Sequence, residues 1–156
     1  MGSRVGGPCE EAALGEGKAH NMAPVRILIV EDEQIVGFDL RRRLARMGYT
    51  VVALTASGEE AIAYAEQLRP DVVLIDVQLR GPIDGIEAAQ HIWTQHKIPV
   101  VFMSGYTTVE TLERVWRTVP AGYLSKPFFE DQLRAALERT LETRRHQSSQ
   151  QSHSEC

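Results

Sequence analysis

The sequence predicts an α/β protein with a doubly wound, five-stranded parallel sheet that is covered by helices on both faces. Short apolar runs rich in β-branched residues alternate five times with segments of helical periodicity. The runs are almost continuously apolar, as is typical of parallel strands that are buried on both faces. Strict alternation of strands and helices implies right-handed crossovers, and these give the doubly wound arrangement.

The five predicted strands are the apolar runs that precede the helical segments. Each has the length of a buried strand and is short for a helix. They are "VRILIV" (25–30), "TVVAL" (50–54), "DVVLID" (71–76), "PVVFMS" (99–104) and "GYLS" (122–125).

The helical segments carry apolar side chains at intervals of three and four residues, so that each predicts one buried stripe. Glycines and prolines stand at the joints between the segments and favour turns there. Three stripes are clear: Val36, Leu40, Leu44 and Met47; then Val109, Leu112, Trp116 and Val119; and finally Leu133, Leu137 and Leu141.

Composition excludes several classes of protein. A length of 156 residues with 43% apolar content suits one globular domain, and a net charge of −4 argues against direct binding of nucleic acid. No apolar stretch approaches the roughly 20 residues needed to span a membrane, and no signal peptide is visible. Two cysteines, Cys9 and Cys156, cannot form a disulfide framework or a zinc site. We therefore expect a cytoplasmic protein that does not associate with membranes.

Both ends of the sequence lack apolar periodicity. Residues 1–23 are rich in glycine and charge, which predicts a disordered extension or residues left from cloning. Residues 146–156 are polar and predict a disordered tail. The fold is thus expected within residues 24–145.

Polar residues gather where the predicted strands end. Strand one exits into Glu31 and Asp32, strand three ends in Asp76, strand four ends in Ser104, and Lys126 follows strand five. The carboxyl ends of parallel strands meet at one rim, which is where ligands bind in open α/β sheets.

Several carboxylates in one crevice repel each other unless a cation is present. Magnesium accepts one or two carboxylates and completes its shell with water and phosphate oxygens. A lysine and a hydroxyl beside it suit the remaining oxygens of a phosphoryl group. Asp76 could then act as the nucleophile, because carboxylates can form aspartyl phosphates.

The motifs "ILIVEDE", "LIDVQL", "IDGIEAA", "VVFMSGY" and "GYLSKPF" together resemble the receiver domains of two-component response regulators. The resemblance covers about residues 24–145 and implies the flavodoxin-like strand order 2-1-3-4-5. It implies that Asp76 is the phosphoacceptor and that Mg²⁺ is held by Glu31, Asp32, Asp76 and the main-chain carbonyl of Gln78. Ser104 and Lys126 match the residues that contact the phosphoryl group, Tyr123 matches an aromatic switch, and the Lys126–Pro127 bond is expected to be cis.

The resemblance also implies partners and an output. A histidine kinase or a phosphotransfer protein would supply the phosphoryl group, and the signal would pass to another protein or a homodimer through the face formed by about residues 107–142. The domain is expected to assist its own phosphorylation and dephosphorylation without being an enzyme in the ordinary sense. The loop "VQLRGPI" is one residue longer than is usual, which we expect to alter the rim beside Asp76.

Three alternatives compete with this switch. A haloacid dehalogenase-type phosphatase needs a second acid two residues after the nucleophile, where Gln78 stands. A flavin or nucleotide carrier would bind phosphate with main-chain N–H groups after the first strand, where three acids stand instead. A degenerate receiver that binds partners without phosphorylation stays open as the alternative.

Overall fold

The structure is a computed structural model, and it describes residues 23–118 and 122–155. The expected extension falls almost wholly outside the described residues, as do Cys9, Val119 and Cys156.

Five parallel strands form one sheet in the order β2-β1-β3-β4-β5, as expected. Every strand lies within one residue of the run that predicted it. The strands are β1 (Arg26–Val30), β2 (Thr50–Thr55), β3 (Val72–Asp76), β4 (Val100–Ser104) and β5 (Gly122–Ser125).

Within the described residues, five helices connect and follow the strands. They are α1 (Gln34–Arg46), α2 (Gly58–Leu68), α3 (Gly85–His96), α4 (Val109–Thr118) and α5 (Glu130–Glu155). Local chemistry fixes where they begin: Ser57 accepts a hydrogen bond from the Glu60 N–H at the start of α2, and Asp84 forms a capping box with Glu87 at the start of α3.

The sheet separates two apolar layers, because successive side chains of a strand point to opposite faces. On β1, Leu28 and Val30 join the layer that contains α2, α3 and Val115 of α4. Ile27 and Ile29 join the other layer, which contains α1 and α5. Two covered faces confirm the doubly wound arrangement.

Two of the three predicted stripes face the core as expected, with Val36 and Met47 half-buried and their other five members buried. The predicted stripe on α4 is wrong. Trp116 and Val109 are 57% and 70% exposed, whereas Val115 is fully buried. Neighbouring helical residues differ by about 100° in direction, so Val115 and Trp116 cannot both face the sheet. The smaller side chain occupies the core, and the tryptophan lies on the surface.

Helix α5 continues to Glu155 and includes the backbone of residues 146–155, where the sequence predicted a disordered tail. Extending a helix adds one hydrogen bond for each residue fixed, so a polar segment can follow a packed first half. Although α5 is long, none of the described helices combines the length and apolar character needed to cross a bilayer.

Candidate functional site

The carboxyl ends of β1, β3 and β5 bring one ammonium group between two carboxylates. The Nζ atom of Lys126 lies 2.6 Å from Glu31 Oε1 and 2.8 Å from Asp76 Oδ2. The side chain of Glu31 is fully buried, and those of Asp76 and Lys126 are only 8% and 20% exposed. These ion pairs are therefore largely shielded from solvent and orient Asp76 toward the rim.

The backbone after β3 also fixes Asp76. The N–H of Gln78 donates to Asp76 Oδ1 at 2.8 Å, and the N–H of Val77 donates to the carbonyl of Met103 at 2.9 Å. Gly85 approaches so closely that a Cβ atom there would lie 1.9 Å from the Asp76 carbonyl oxygen. Only glycine permits this contact between the start of α3 and the end of β3.

Three carboxylates form a cluster with the donor set of a hard cation. Glu31, Asp32 and Asp76 each offer an oxygen, and these oxygens lie within 4.8 Å of one another. Oxygen-only donors at this spacing fit Mg²⁺. Asp32 also accepts a hydrogen bond from the Arg80 N–H at 3.2 Å and lies 3.6 Å from the Arg80 Nε atom.

The pKa values of Glu31 and Lys126 reflect their burial and their interactions with each other and with Asp76. Burial raises the pKa of Glu31, and repulsion from Asp76 adds to that rise, although the hydrogen bond from Lys126 opposes it. Burial alone would lower the pKa of Lys126, but its contacts with Asp76 and Glu31 outweigh burial and leave that pKa raised. Lys126 is thus held in its charged form.

A chain of hydroxyl groups begins at the end of β4. Ser104 is 1% exposed, and its Oγ atom lies 2.5 Å from Thr107 Oγ1 and 3.3 Å from the carbonyl oxygen of Tyr106. Thr107 Oγ1 in turn lies 2.7 Å from the hydroxyl of Tyr123. Sequence reasoning singled out Ser104 and Tyr123 and missed Thr107, because nothing in the sequence indicates that a loop residue would join them.

The remaining expectations are met to different degrees. The Lys126–Pro127 bond is cis. Gln78 lies beside the cluster, and its side-chain Nε2 donates to the Tyr106 carbonyl at 3.0 Å. Its main-chain carbonyl as a metal ligand stays a prediction. The ring of Tyr123 is half-buried, with its centroid 6.5 Å from that of Trp116.

Sequence comparison places this geometry among known proteins. The profile described as "Response regulator receiver domain" matches residues 27–138. The transcriptional regulatory protein PdtaR of Mycobacterium tuberculosis H37Rv is 36% identical over 115 residues, which are 74% of this chain and 56% of that protein. The phyllosphere-induced regulator PhyR of Methylorubrum extorquens is 30% identical over 128 residues, 81% of this chain and 47% of that protein. The chain spans about half the length of the curated relatives it matches.

Comparison with solved structures finds the same fold in receiver domains. The signal receiver domain of a modulated diguanylate cyclase from Desulfovibrio desulfuricans G20 has a TM-score of 0.77 at 35% identity, covering 80% of this chain and 99% of that one. The anti-anti-sigma factor PhyR from Bartonella quintana has a TM-score of 0.71 at 28% identity, covering 81% of this chain and 51% of that one. With the fold, the strand-end residues and the profile in agreement, this chain belongs to the family of response regulator receiver domains.

Proposed function

We propose that this receiver domain is a phosphorylation-activated switch that accepts a phosphoryl group on Asp76 in the presence of Mg²⁺. The donor is a phosphohistidine of a sensor histidine kinase or a phosphotransfer protein. The observation that carries the proposal is the position of Lys126, whose ammonium bridges Asp76 and Glu31 at the rim of the sheet. A lysine that served only as a surface charge would not be expected to contact Glu31 at the end of β1 and Asp76 at the end of β3.

Asp76 is held in a fixed direction at the rim. One carboxylate oxygen accepts a hydrogen bond from Lys126 and the other accepts one from the Gln78 N–H, and each oxygen keeps a further lone pair. In the transfer, a new P–O bond to Asp76 forms as the P–N bond to the donor histidine breaks. The bonding electrons leave with the imidazole, and water later hydrolyses the acyl phosphate to restore the carboxylate.

Glu31, Asp32, Asp76 and the main-chain carbonyl of Gln78 are the groups that we propose hold the cation. When bound, Mg²⁺ neutralises charge on the transferring phosphoryl oxygens. Lys126 donates to another of these oxygens, and Ser104 donates to a third. Both groups act where negative charge develops, and the shielded position of Lys126 strengthens that interaction.

The output that we propose is a change in the face formed by about residues 107–142. Phosphorylation adds roughly 1.5–2 negative charges at the rim. Ser104 then turns toward the phosphoryl group and Tyr123 changes position, which shifts the population between two packings of this face. A downstream protein or a second copy of the chain reads the change, as the description of one relative as an anti-anti-sigma factor supports.

We further propose that the folded domain spans residues 24–145 and works in the cytoplasm. Two observations support these limits. The profile matches residues 27–138, and all five strands lie between residues 24 and 145. The cytoplasmic location follows from the proposed function, in which a histidine kinase or a phosphotransfer protein supplies the phosphoryl group.

Acetyl phosphate tests the proposed chemistry directly. Wild-type protein incubated with acetyl phosphate and Mg²⁺ should gain one phosphoryl group by intact mass, whereas addition of EDTA should prevent the gain. Asp76→Ala should gain none under any condition, because it lacks the nucleophile. If the wild type gains nothing here or from a panel of phosphorylated histidine kinases, the alternative of a phosphate-independent binding module replaces the switch.

Arg80 provides a test of the metal site. Its guanidinium competes with a cation for Asp32, so Arg80→Gln should tighten Mg²⁺ binding about twofold to threefold, a small effect because exposed ion pairs are weak. Calorimetric titration with MgCl₂ measures the change. Arg117→Gln removes a similarly exposed surface pair with Glu113, within α4, and should leave the affinity unchanged. Equal affinities in wild type and Arg80→Gln would show that Arg80 does not compete.

A further inference from the structure

We propose that Arg43 of α1 is a positioning residue that fixes the backbone next to Lys126 and so holds the Lys126 ammonium at Asp76. This inference rests on the proposed function, since it adds a residue away from the strand ends to the machinery that binds the phosphoryl group.

The main chain around Lys126 is hydrogen-bonded on both sides. The Lys126 N–H donates to the Ser104 carbonyl at 2.8 Å, which attaches the residue to β4. Pro127 has no N–H to donate. Two residues after Lys126, the Phe128 carbonyl accepts a hydrogen bond from Arg43 Nη1 at 3.0 Å. Lys126 thus lies between a bond to the sheet and a bond to α1.

The guanidinium of Arg43 is itself oriented. Its Nε atom lies 3.1 Å from Asp39 Oδ2, one turn earlier on α1. Because the nitrogens of a guanidinium are coplanar and fixed relative to one another, an ion pair through Nε also directs Nη1. The Arg43 side chain is only 32% exposed, and the charge on the donor strengthens its bond to the Phe128 carbonyl.

Packing alone does not fix this region, because a cleft of about 360 Å³ lies between α1 and the segment that follows β5. The residues that line it include Leu40 and Arg43 on α1, and Lys126, Pro127 and Phe128 opposite. Lys126 therefore borders open space on this side, where few atoms restrain it. The direction of its side chain then depends on where its backbone is held.

Arg46 provides a matched control on the same helix. Its Nη2 atom lies 2.9 Å from Glu130 Oε2, so it joins α1 to the first residue of α5. That contact is between two exposed side chains and does not involve the backbone next to Lys126. Arg46→Met removes the same charge from α1 as Arg43→Met, and the comparison therefore separates position from charge.

The order of the Lys126 side chain in the free protein is the first measurement. The chain has three lysines, so ¹³C labelling of lysine Cε gives three signals, and Lys126→Met identifies that of Lys126. In buffer with EDTA, we expect Arg43→Met to lower the order parameter of the Lys126 Cε–H bonds by about 0.2, which is the difference between rigid and flexible groups. Arg46→Met should leave the order parameter unchanged.

The rate of phosphorylation by acetyl phosphate at saturating Mg²⁺, followed by intact mass, is the second measurement. Arg43→Met should lower this rate about threefold to tenfold, because a small displacement of a group that binds the transferring phosphoryl group is costly. Arg46→Met should react at the wild-type rate. Arg43→Gln keeps a polar side chain at this half-buried position and decides the question if Arg43→Met does not fold.

A double variant tests whether Arg43 acts through Lys126. Lys126→Met alone should react slowly, and addition of Arg43→Met should slow it no further, because the side chain that Arg43 positions is already absent. Losses that multiply in the double variant would instead show that Arg43 acts independently of Lys126.

The outcomes separate this inference from the proposed function. A wild-type order parameter in Arg43→Met, an equal loss of rate in Arg46→Met, or multiplied losses in the double variant would overturn the role of Arg43 and leave the switch in place. A wild type that neither acetyl phosphate nor phosphorylated histidine kinases modify would contradict the proposed function. The order parameters in EDTA would then still decide whether Arg43 holds Lys126.

Discussion

Lys126→Met should lower the free energy of unfolding by about 3 kcal/mol at pH 7 in buffer that contains EDTA. Methionine fills a similar volume, but it leaves the carboxylates of Glu31 and Asp76 close together, shielded from solvent and without their cation. Removing one partner of a buried ion pair is costly for this reason. Urea denaturation followed by circular dichroism measures the loss, and the variant should also respond weakly to acetyl phosphate.

The pH dependence identifies charge as the cause. The pKa of Glu31 is already raised by burial and by repulsion from Asp76, and it should rise further without the ammonium. An acid whose pKa is raised by folding destabilises the protein at higher pH and regains stability as the pH falls through the folded-state value. The gap between Lys126→Met and wild type should therefore narrow as the pH falls below neutral, and Mg²⁺ should narrow it at pH 7.

Lys97→Met is the matched control, because Lys97 is exposed and its ammonium lies over the ring of Trp93, away from the carboxylates. Its effect should stay within about 0.5 kcal/mol and be the same at each pH, as is usual for surface substitutions. A loss in Lys126→Met that does not vary with pH or Mg²⁺ would attribute it to packing instead of charge.

Gly85→Ala should destabilise the protein by about 3 kcal/mol or more and slow phosphorylation of Asp76. An ideal Cβ atom at this position would lie 1.9 Å from the Asp76 carbonyl oxygen and 2.9 Å from its carbonyl carbon, so the start of α3 or the end of β3 must move. Backbone atoms yield less easily than the end of a side chain, and steric strain of this kind is among the few causes of large effects. Urea denaturation and the rate of reaction with acetyl phosphate are the two measurements.

Helix propensity predicts the opposite sign, because alanine favours a helix over glycine by about 1 kcal/mol. Gly105→Ala is the control: it is exposed, and a Cβ there would meet nothing within 4 Å. It should stay within about 0.5 kcal/mol of wild type. A Gly85→Ala protein as stable as the control would show that the contact with Asp76 relaxes without cost.

The strands of the fold were predictable from the sequence, because their apolar runs are distinct from the helical segments between them. Short apolar runs that are rich in β-branched residues and bounded by turn residues favour strands covered on both faces, and the observed strand ends agree within one residue. The strand assignment also predicted that Glu31, Asp76 and Lys126 lie close together, because the carboxyl ends of parallel strands meet at one rim.

Other features depend on three-dimensional contacts that a periodic pattern does not contain. On α4, Val115 and Trp116 are both apolar neighbours, and only the space beneath the helix decides which is buried. Thr107 joins Ser104 to Tyr123 across 16 residues of chain, and a threonine in a loop gives no sign of such a contact. Arg80 likewise reaches Asp32 from a loop whose path the sequence leaves open.

The strand order separates two mechanical requirements. Strand β3, which ends in Asp76, is bonded to β1 on one side and β4 on the other, whereas β5, which contains Tyr123, is bonded to β4 alone. In-line transfer needs a nucleophile that fluctuates by less than about half an ångström, and a strand clamped on two sides resists local opening. A conformational signal needs an element that can be displaced at a cost of a few kcal/mol, as an edge strand can. Under the proposed function, bond making would fall on a strand that is bonded on both sides and signalling on an edge strand, with β4 between them.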